Sequence, residues 1–297
     1  MKRIGFIGPG IMGAPMAAKL VRAGYEVTGY GRSDRSIERI TTAGAKPASS
    51  VQEATADADA VITMLPDFPD VEQVVLGSEG APGVLASASP GTLLVDMSTI
   101  RPETAREVAA AGREVGVRVL DAPVSGGEQG AVEGALSIMV GGEAEDVEAA
   151  RPLFDVMGKT IVHVGPHGAG QTVKAANQLM VAGIISLVSE AIVLLEASGV
   201  DAARGLEVLG GGLAGNTVLD RKAAGMLARE FAPGFRVELH HKDMGIALAS
   251  ARAADVALPV TGLVAQLVAA ANASGRGELD HSVLLQVIEA LSGRERD

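Results

Sequence analysis

Lys174 and Asn177 lie three residues apart at the mouth of a long apolar run, a spacing that puts both on one face of a helix. Such a lysine is a candidate proton donor. An ordinary lysine, with a pKa of about 10.4, carries its proton at neutral pH, and partial burial shifts that value readily. An isolated helix lysine more often runs its charge out to water along an apolar stem, so the surrounding block matters. That block reads Gly168-Ala169-Gly170-Gln171-Thr172-Val173-Lys174-Ala175-Ala176-Asn177.

A second constellation sits at the N-terminus. The short apolar run Arg3–Ile7 leads into Gly8-Pro9-Gly10-Ile11-Met12-Gly13, a G-x-G-x-x-G. Residues 14–23 then have helix-forming composition and stop at Gly24, and residues 26–30 read as a second strand. Strand, glycine turn and helix are the context in which this spacing binds a dinucleotide. Gly8 permits the tight turn, Gly10 lets the backbone approach a pyrophosphate, and Gly13 lets helix and strand pack closely. The helix start turns N–H groups toward the phosphates. After the second strand an Asp or Glu would bind the ribose 2′-hydroxyl of NAD, but here stands Gly31-Arg32-Ser33. A small residue followed by Arg32 and Ser33 leaves room for a 2′-phosphate and supplies charge and a hydroxyl. NADP(H) is therefore the preferred cofactor, with NAD(H) also admitted.

Further strand ends should border the same crevice. One strand at 59–65 ends in Met64-Leu65-Pro66, and another at 92–96 is followed by Ser98 and Thr99. These two hydroxyls could meet the nicotinamide side of the cofactor or cap a helix starting near Pro102. The run Arg118–Asp121 feeds Ala122-Pro123-Val124-Ser125-Gly126-Gly127. A Ser-Gly-Gly turn exposes several backbone N–H groups and a hydroxyl, a nest for a small carboxylate.

These groups need a scaffold. Strands at 136–140 and 161–164, with a helix Ala144–Met157 between them, complete an alternating strand–helix half. From Thr172 to about Ala197 a long apolar helix runs on, suited to a spine between two domains. Segments 201–209, 217–229, 241–254, 260–274 and 281–291 read as helices, and no strand alternation follows residue 164. The expected fold is an α/β Rossmann-type dinucleotide-binding domain over 1–165, then an all-α domain over 166–297, joined by a long interdomain helix. A chain of 297 residues suits two domains of roughly 150 each.

Composition narrows the function classes. A net charge of −11 argues against a general nucleic-acid binder. With five Phe, two Tyr and no Trp, platforms for stacked bases are unexpected. Zero cysteines exclude disulfides and thiolate metal sites. His240 and His241 are adjacent, with no third ligand spaced for a metal, so none is expected. The uncharged run 175–189 contains Asn177 and Gln178 and falls short of the roughly 17–25 residues a membrane span needs. Glycines interrupt the apolar N-terminus, which argues against a secretory signal. A cytoplasmic protein without membrane contact is expected.

Together these blocks resemble the 3-hydroxyisobutyrate dehydrogenase family of β-hydroxyacid dehydrogenases over essentially the whole chain. The stretch from Gly5 through Gly13 to Met16 is similar to its cofactor motif, Asp121-Ala122-Pro123-Val124-Ser125-Gly126-Gly127 to its substrate-binding motif, and the Lys174 block to its catalytic motif. Pro9 stands where the family usually has Leu, and Lys19 where it often has Asn. In the second half, Gly211-Gly212-Leu213-Ala214-Gly215-Asn216-Thr217-Val218-Leu219, Phe235 with His240 and Lys242-Asp243, and Asp280-His281-Ser282 resemble members that reduce small semialdehydes.

The resemblance implies a small carboxylate substrate with an aldehyde or alcohol at its β-carbon. Its carboxylate would rest on Ser125 and the N–H groups of Gly126 and Gly127, and Asn177 would bond a hydroxyl or carboxylate oxygen. Lys174 would be the general acid and base, Phe235 and Asp243 would join the substrate set, and Thr99 and Lys242 would contact the cofactor. A homodimer or homotetramer is implied. A non-catalytic protein on the same fold would have no need of a proton donor at Lys174.

Overall fold

A computed structural model of the chain describes residues 1–295. The first part runs β1 (Arg3–Ile7), α1 (Gly13–Arg22), β2 (Glu26–Tyr30), α2 (Asp34–Thr42), β3 (Lys46–Pro47), α3 (Val51–Thr55), β4 (Ala60–Thr63) and α4 (Phe68–Val75). A small hairpin β5 (Gly77–Ser78) and β6 (Ala81–Pro82) precedes α5 (Val84–Ser87), β7 (Leu93–Asp96), α6 (Pro102–Glu114) and β8 (Arg118–Asp121). Then come β9 (Val124–Ser125), α7 (Gly127–Glu133), β10 (Leu136–Gly141), α8 (Ala144–Met157) and β11 (Gly158–Gly165). The rest is helical: α9 (Ala169–Ala197), α10 (Ala202–Gly211), α11 (Thr217–Ala228), α12 (Val237–Ala253), α13 (Pro259–Ala271) and α14 (Leu284–Leu291). The chain divides into two compact units, Met1–Lys174 and a second beginning at Ala175.

Among the described residues of the first unit, nine strands form one sheet in the order β11-β10-β8-β7-β4-β1-β2-β3, with β9 paired to β10. From β8 to β3 every pairing is parallel. β10 turns antiparallel to β8 through Gly141 and Asp121. Parallel strands are covered on both faces, so both of their side-chain sets are apolar. Phe6, Ile62, Val95 and Leu120 point into one core with Met16 and Leu20 of α1 and Phe154 of α8. Their neighbours Ile7, Val61, Leu94 and Val119 point into the opposite core with Val71 of α4 and Val108 of α6. This is the doubly covered sheet that the continuous apolar runs predict.

The second unit is helical. Ala182, Ile185, Val188 and Ile192 of α9 make its core with Leu206, Met226, Met244, Val268 and Leu285. By length and composition alone α9 could cross a membrane, and 44% of its most apolar window is buried inside the protein. After β11 the described residues add only one isolated bridge, Arg236 to Asp280.

Boundaries differ from expectation where local pattern is thin. The two-residue strands β3 and β9 are too short to alternate. The helix that carries Lys174 begins at Ala169 rather than Thr172. The helix expected over 260–274 ends at Ala271, where a wider π-type turn at Asn272–Arg276 includes Gly275 at φ +82°. The helix expected over 281–291 opens with a 3-10 turn, His281–Val283.

Candidate active site

The dinucleotide turn is shaped by contact distances. Gly8 has φ +95°, and a Cβ there would stand 2.3 Å from the Met64 carbonyl oxygen. A Cβ on Gly13 would stand 2.1 Å from the Gly8 oxygen and 2.9 Å from the Phe6 ring, so helix and strand touch at that point. A Cβ on Gly10 would meet nothing within 4 Å, which leaves room on the outer side of the turn. No side chain caps α1 at Met12, so no side chain occupies the N-terminal end of this helix, the end that favours an anion. These residues fit the pyrophosphate of a dinucleotide. Met64, Leu65, Pro66 and Thr99 follow β4 and β7, the next strands in the sheet beside β1, so the predicted cofactor residues converge on one edge.

Arg32 and Ser33 follow β2 on the other side of β1. Ser33 caps α2, its Oγ accepting from Ser36 N at 3.3 Å. Arg32 donates to Asp70 Oδ1 at 2.6 Å, a carboxylate brought in by α4 that sequence reasoning did not connect with it. A Cβ on Gly31 would lie 2.4 Å from Ser36 Cβ and 3.0 Å from Pro9 Cγ and Cδ, so packing alone keeps this position small. The Ser98 hydroxyl is buried and accepts from Leu65 N at 2.8 Å, which ties it to the strand-end loop and not to a helix cap.

The start of α9 is pinned by residues that lay inside the motifs without an assigned role. Asp121 Oδ1 accepts from Gly168 N at 2.7 Å and its Oδ2 from Gln171 N at 3.0 Å. Gln171 Nε2 donates to Ser98 O at 2.8 Å, and its Oε1 accepts from Ile100 N at 3.0 Å. Burial pushes the Asp121 carboxyl up despite the pull of the two amides. Asp96, at the end of β7, is driven up to about 6 by burial, against hydrogen bonds from Ser98 and Thr63. Its Oδ1 accepts from Thr63 Oγ1 at 2.7 Å, while Oδ2 is buried with no hydrogen bond.

This anchorage sets Lys174 a turn further along α9. The side chain is 7% exposed, and Nζ donates to the Val124 carbonyl at 2.7 Å. Val124 and Ser125 form β9, held against Ile138 and Ser137 of β10. Gly126, at φ +140°, then turns the chain into α7. Lys174 thus lies against the strand that delivers Ser125, Gly126 and Gly127. An ammonium beside a turn of N–H groups and a hydroxyl can bind a carboxylate and protonate an oxygen on the same molecule.

In the second unit Asn177 Nδ2 donates to Gln178 Oε1 at 2.7 Å, and Gln178 Nε2 donates to Asp243 Oδ2 at 2.5 Å. Lys242 Nζ lies 3.0 Å from Asp243 Oδ1, an ion pair and not a directed hydrogen bond. Phe235 packs edge-on to His240 and His281, with ring centroids 5.6 and 5.3 Å away. His240 Nε2 is 3.1 Å from the Gln178 carbonyl and therefore carries the proton there. Asp280 accepts from Gly234 N, Phe235 N and Ser282 Oγ and pairs with Lys222 at 2.8 Å. Burial opposes its charge, yet His281, Lys222 and Ser282 hold its carboxyl well below the usual carboxylate range. Asn177, Phe235, Lys242 and Asp243 are brought together here; Asp280 lay in a quoted motif without a role, while the parts of Gln178 and Lys222 emerge only in three dimensions.

A parallel sheet with a glycine turn at β1, strand-end loops beside it and a buried lysine next to a Ser-Gly-Gly turn is the framework of a nicotinamide-dinucleotide oxidoreductase. Residues 3–165 match the family model described as the NAD binding domain of 6-phosphogluconate dehydrogenase, and residues 168–288 that described as the NAD-binding of NADP-dependent 3-hydroxyisobutyrate dehydrogenase. The chain belongs to the 3-hydroxyisobutyrate dehydrogenase family of NAD(P)-dependent β-hydroxyacid dehydrogenases. It is 41% identical to the 2-hydroxy-3-oxopropionate reductase of Escherichia coli over 99% of both chains. It is 39% identical to the NAD-dependent L-serine dehydrogenase of Pseudomonas aeruginosa over 99% of this chain and 100% of the relative. The Mycobacterium tuberculosis 3-hydroxyisobutyrate dehydrogenase solved with L-serine superposes with a TM-score of 0.85 at 35% identity, covering 97% of this chain and 99% of that one.

Proposed function

We propose that this protein reduces tartronate semialdehyde (2-hydroxy-3-oxopropanoate) to glycerate, reversibly, with NADPH preferred over NADH. The observation that supports this best is the buried Lys174 ammonium, 2.7 Å from the carbonyl of Val124 and next in line to Ser125. Ser125 and the N–H groups of Gly126 and Gly127 bind the substrate carboxylate, and Asn177 bonds a substrate oxygen. The reduced nicotinamide, when bound, supplies a hydride to the aldehyde carbon. Lys174 hydrogen-bonds the aldehyde oxygen and gives it a proton as the alkoxide forms, ending neutral; in the oxidative direction neutral Lys174 takes that proton back. Proton transfer of this kind is worth roughly 10²–10⁴-fold in rate. Near-full-length similarity to a 2-hydroxy-3-oxopropionate reductase supports the substrate. Arg32 supports NADPH, its guanidinium turning from Asp70 to the 2′-phosphate.

A second reading keeps this machinery and changes the substrate to 3-hydroxyisobutyrate, glyoxylate, succinic semialdehyde or L-serine, the last favoured by the similarity to an L-serine dehydrogenase. The protein in this reading is cytoplasmic and a homodimer or homotetramer. Met180, Leu187 and Leu194 support self-association, forming a stripe along α9 that is 61–67% exposed.

The deciding experiment measures NADPH and NADH oxidation with tartronate semialdehyde on wild type and Lys174→Ala. The expected result is turnover with NADPH leading on kcat/KM, and a fall of about 10²–10⁴-fold in kcat for the variant, which still binds cofactor. Full activity in Lys174→Ala overturns the mechanism. Turnover of a different semialdehyde alone overturns the substrate and leaves the mechanism standing.

A further inference from the structure

Asn177 stands at the outer end of a hydrogen-bonded chain whose direction is imposed from its inner end. Gln178 is 4% exposed and Asp243 2%, while Asn177 is half-buried. An ionised carboxylate only accepts, so the group that Gln178 turns to Asp243 Oδ2 at 2.5 Å is its amide nitrogen. The Gln178 carbonyl oxygen then faces Asn177, and the group Asn177 turns to it, 2.7 Å away, is in turn its nitrogen. Reversing Gln178 would set oxygen against oxygen at the Asp243 contact. Lys242 supplies a compensating charge on the far side of Asp243, 3.0 Å from Oδ1. The Gln178 backbone is also held, its carbonyl accepting from His240 Nε2 at 3.1 Å. Both amides are therefore locked in one of their two orientations, and the lock is electrostatic.

We propose that Gln178 is a positioning residue that sets substrate specificity. It passes the acceptor character of Asp243 to Asn177, which spends one N–H inward and turns Oδ1 outward. Asn177 Oδ1 then accepts a hydrogen bond from a donor on the substrate carbon next to the carboxylate, a hydroxyl or an ammonium. A methyl group at that carbon offers nothing to it. This rests on the reading that Asn177 faces the substrate, and the chain deepens that reading by giving the amide a direction.

The test uses two substrates that differ at that carbon alone, glycerate with a hydroxyl and 3-hydroxyisobutyrate with a methyl, both oxidised with NADP+. Wild type, Gln178→Met, Asn177→Ala and the double variant are compared, with Gln178→Leu as a second shape and thermal melting of each variant. Gln178→Met and Gln178→Leu are expected to lose about tenfold to a hundredfold in kcat/KM on glycerate, the size of one hydrogen bond held by a charged chain, with little change on 3-hydroxyisobutyrate or in KM for NADP+. The double variant should be no worse than Asn177→Ala, because Gln178 acts through Asn177. Equal losses on both substrates, or a double variant that shows the product of the two single losses, overturn the proposal and leave Gln178 a packing residue. If Asn177→Ala keeps full kcat/KM on both substrates, the reading of Asn177 as a substrate contact fails, and the proposal with it.

Discussion

A proton donor works only when its nitrogen is held in place, and Lys174, the proposed donor, is held through backbone that other side chains fix. Asp121 binds the amides of Gly168 and Gln171, so it anchors the helix start from which Lys174 reaches Val124. Asp121→Ala is expected to cost about 1–3 kcal/mol of stability from the stranded amides. It should also lower kcat with little change in KM for NADPH; melting curves and steady-state kinetics check the pair of effects. Asp96 makes a prediction in pH. Its native pKa of about 6 lies above the usual carboxylate value, so the folded protein binds the proton more tightly than the unfolded chain. Stability from this group is full below about pH 4 and is lost as pH rises through about 6, a span of about 3 kcal/mol. Asp96→Asn removes the titration, so its Tm relative to wild type should climb between pH 4 and pH 7. A difference that stays flat over that range would show that Asp96 does not titrate there. Lys174, Ser125 and Asn177 could be named from their motifs. Asp121 and Gln171 stood in the same motifs, but nothing local says that their partners are amides across the fold.

Among the elements, the β1–α1 unit shows how much a glycine pattern encodes. Gly13 is a close-contact position, since a Cβ would lie 2.1 Å from the Gly8 oxygen. Gly13→Val is expected to cost about 1–3 kcal/mol by overpacking and to weaken NADPH binding, read by melting and by fluorescence titration. Gly31 behaves less simply. An acidic residue here would be the usual route to NAD, but a Cβ would press on Ser36 and Pro9. Gly31→Asp is therefore expected to weaken binding of both cofactors and lower Tm instead of switching preference. A clean gain in NADH affinity would show that Pro9 and Ser36 yield. Strand β1 and helix α8 keep the bounds read from the sequence because each has a full period of burial behind it. Strands β3 and β9 do not, because two residues have no period, and their pairing comes from the neighbouring strand.

For the molecule as a whole, the stripe of Met180, Leu187 and Leu194 carries the prediction of self-association. Leu187→Glu is expected to shift the protein to a smaller species by light scattering, since an unpaired charge in an apolar interface is costly. An unchanged mass would remove this face from the assembly.

Element order and the dinucleotide turn followed from local pattern. Apolar runs of strand length, a glycine turn and 3.6-residue periodicity state which segments are strands or helices. They also point to a dinucleotide at the β1–α1 turn, while the grouping of a small carboxylate with Lys174 came from the resemblance of whole motifs. These signals are local because backbone conformation and amphipathic burial are local. Direction and pairing were decided in three dimensions. Asp70 meets Arg32 from a separate helix, Asp121 binds the amide of Gly168 47 residues later at the start of α9, and Asp243 orients Gln178 across 65 residues. A hydrogen bond depends on distance and angle, which spacing along the chain does not encode once the partners lie on different elements.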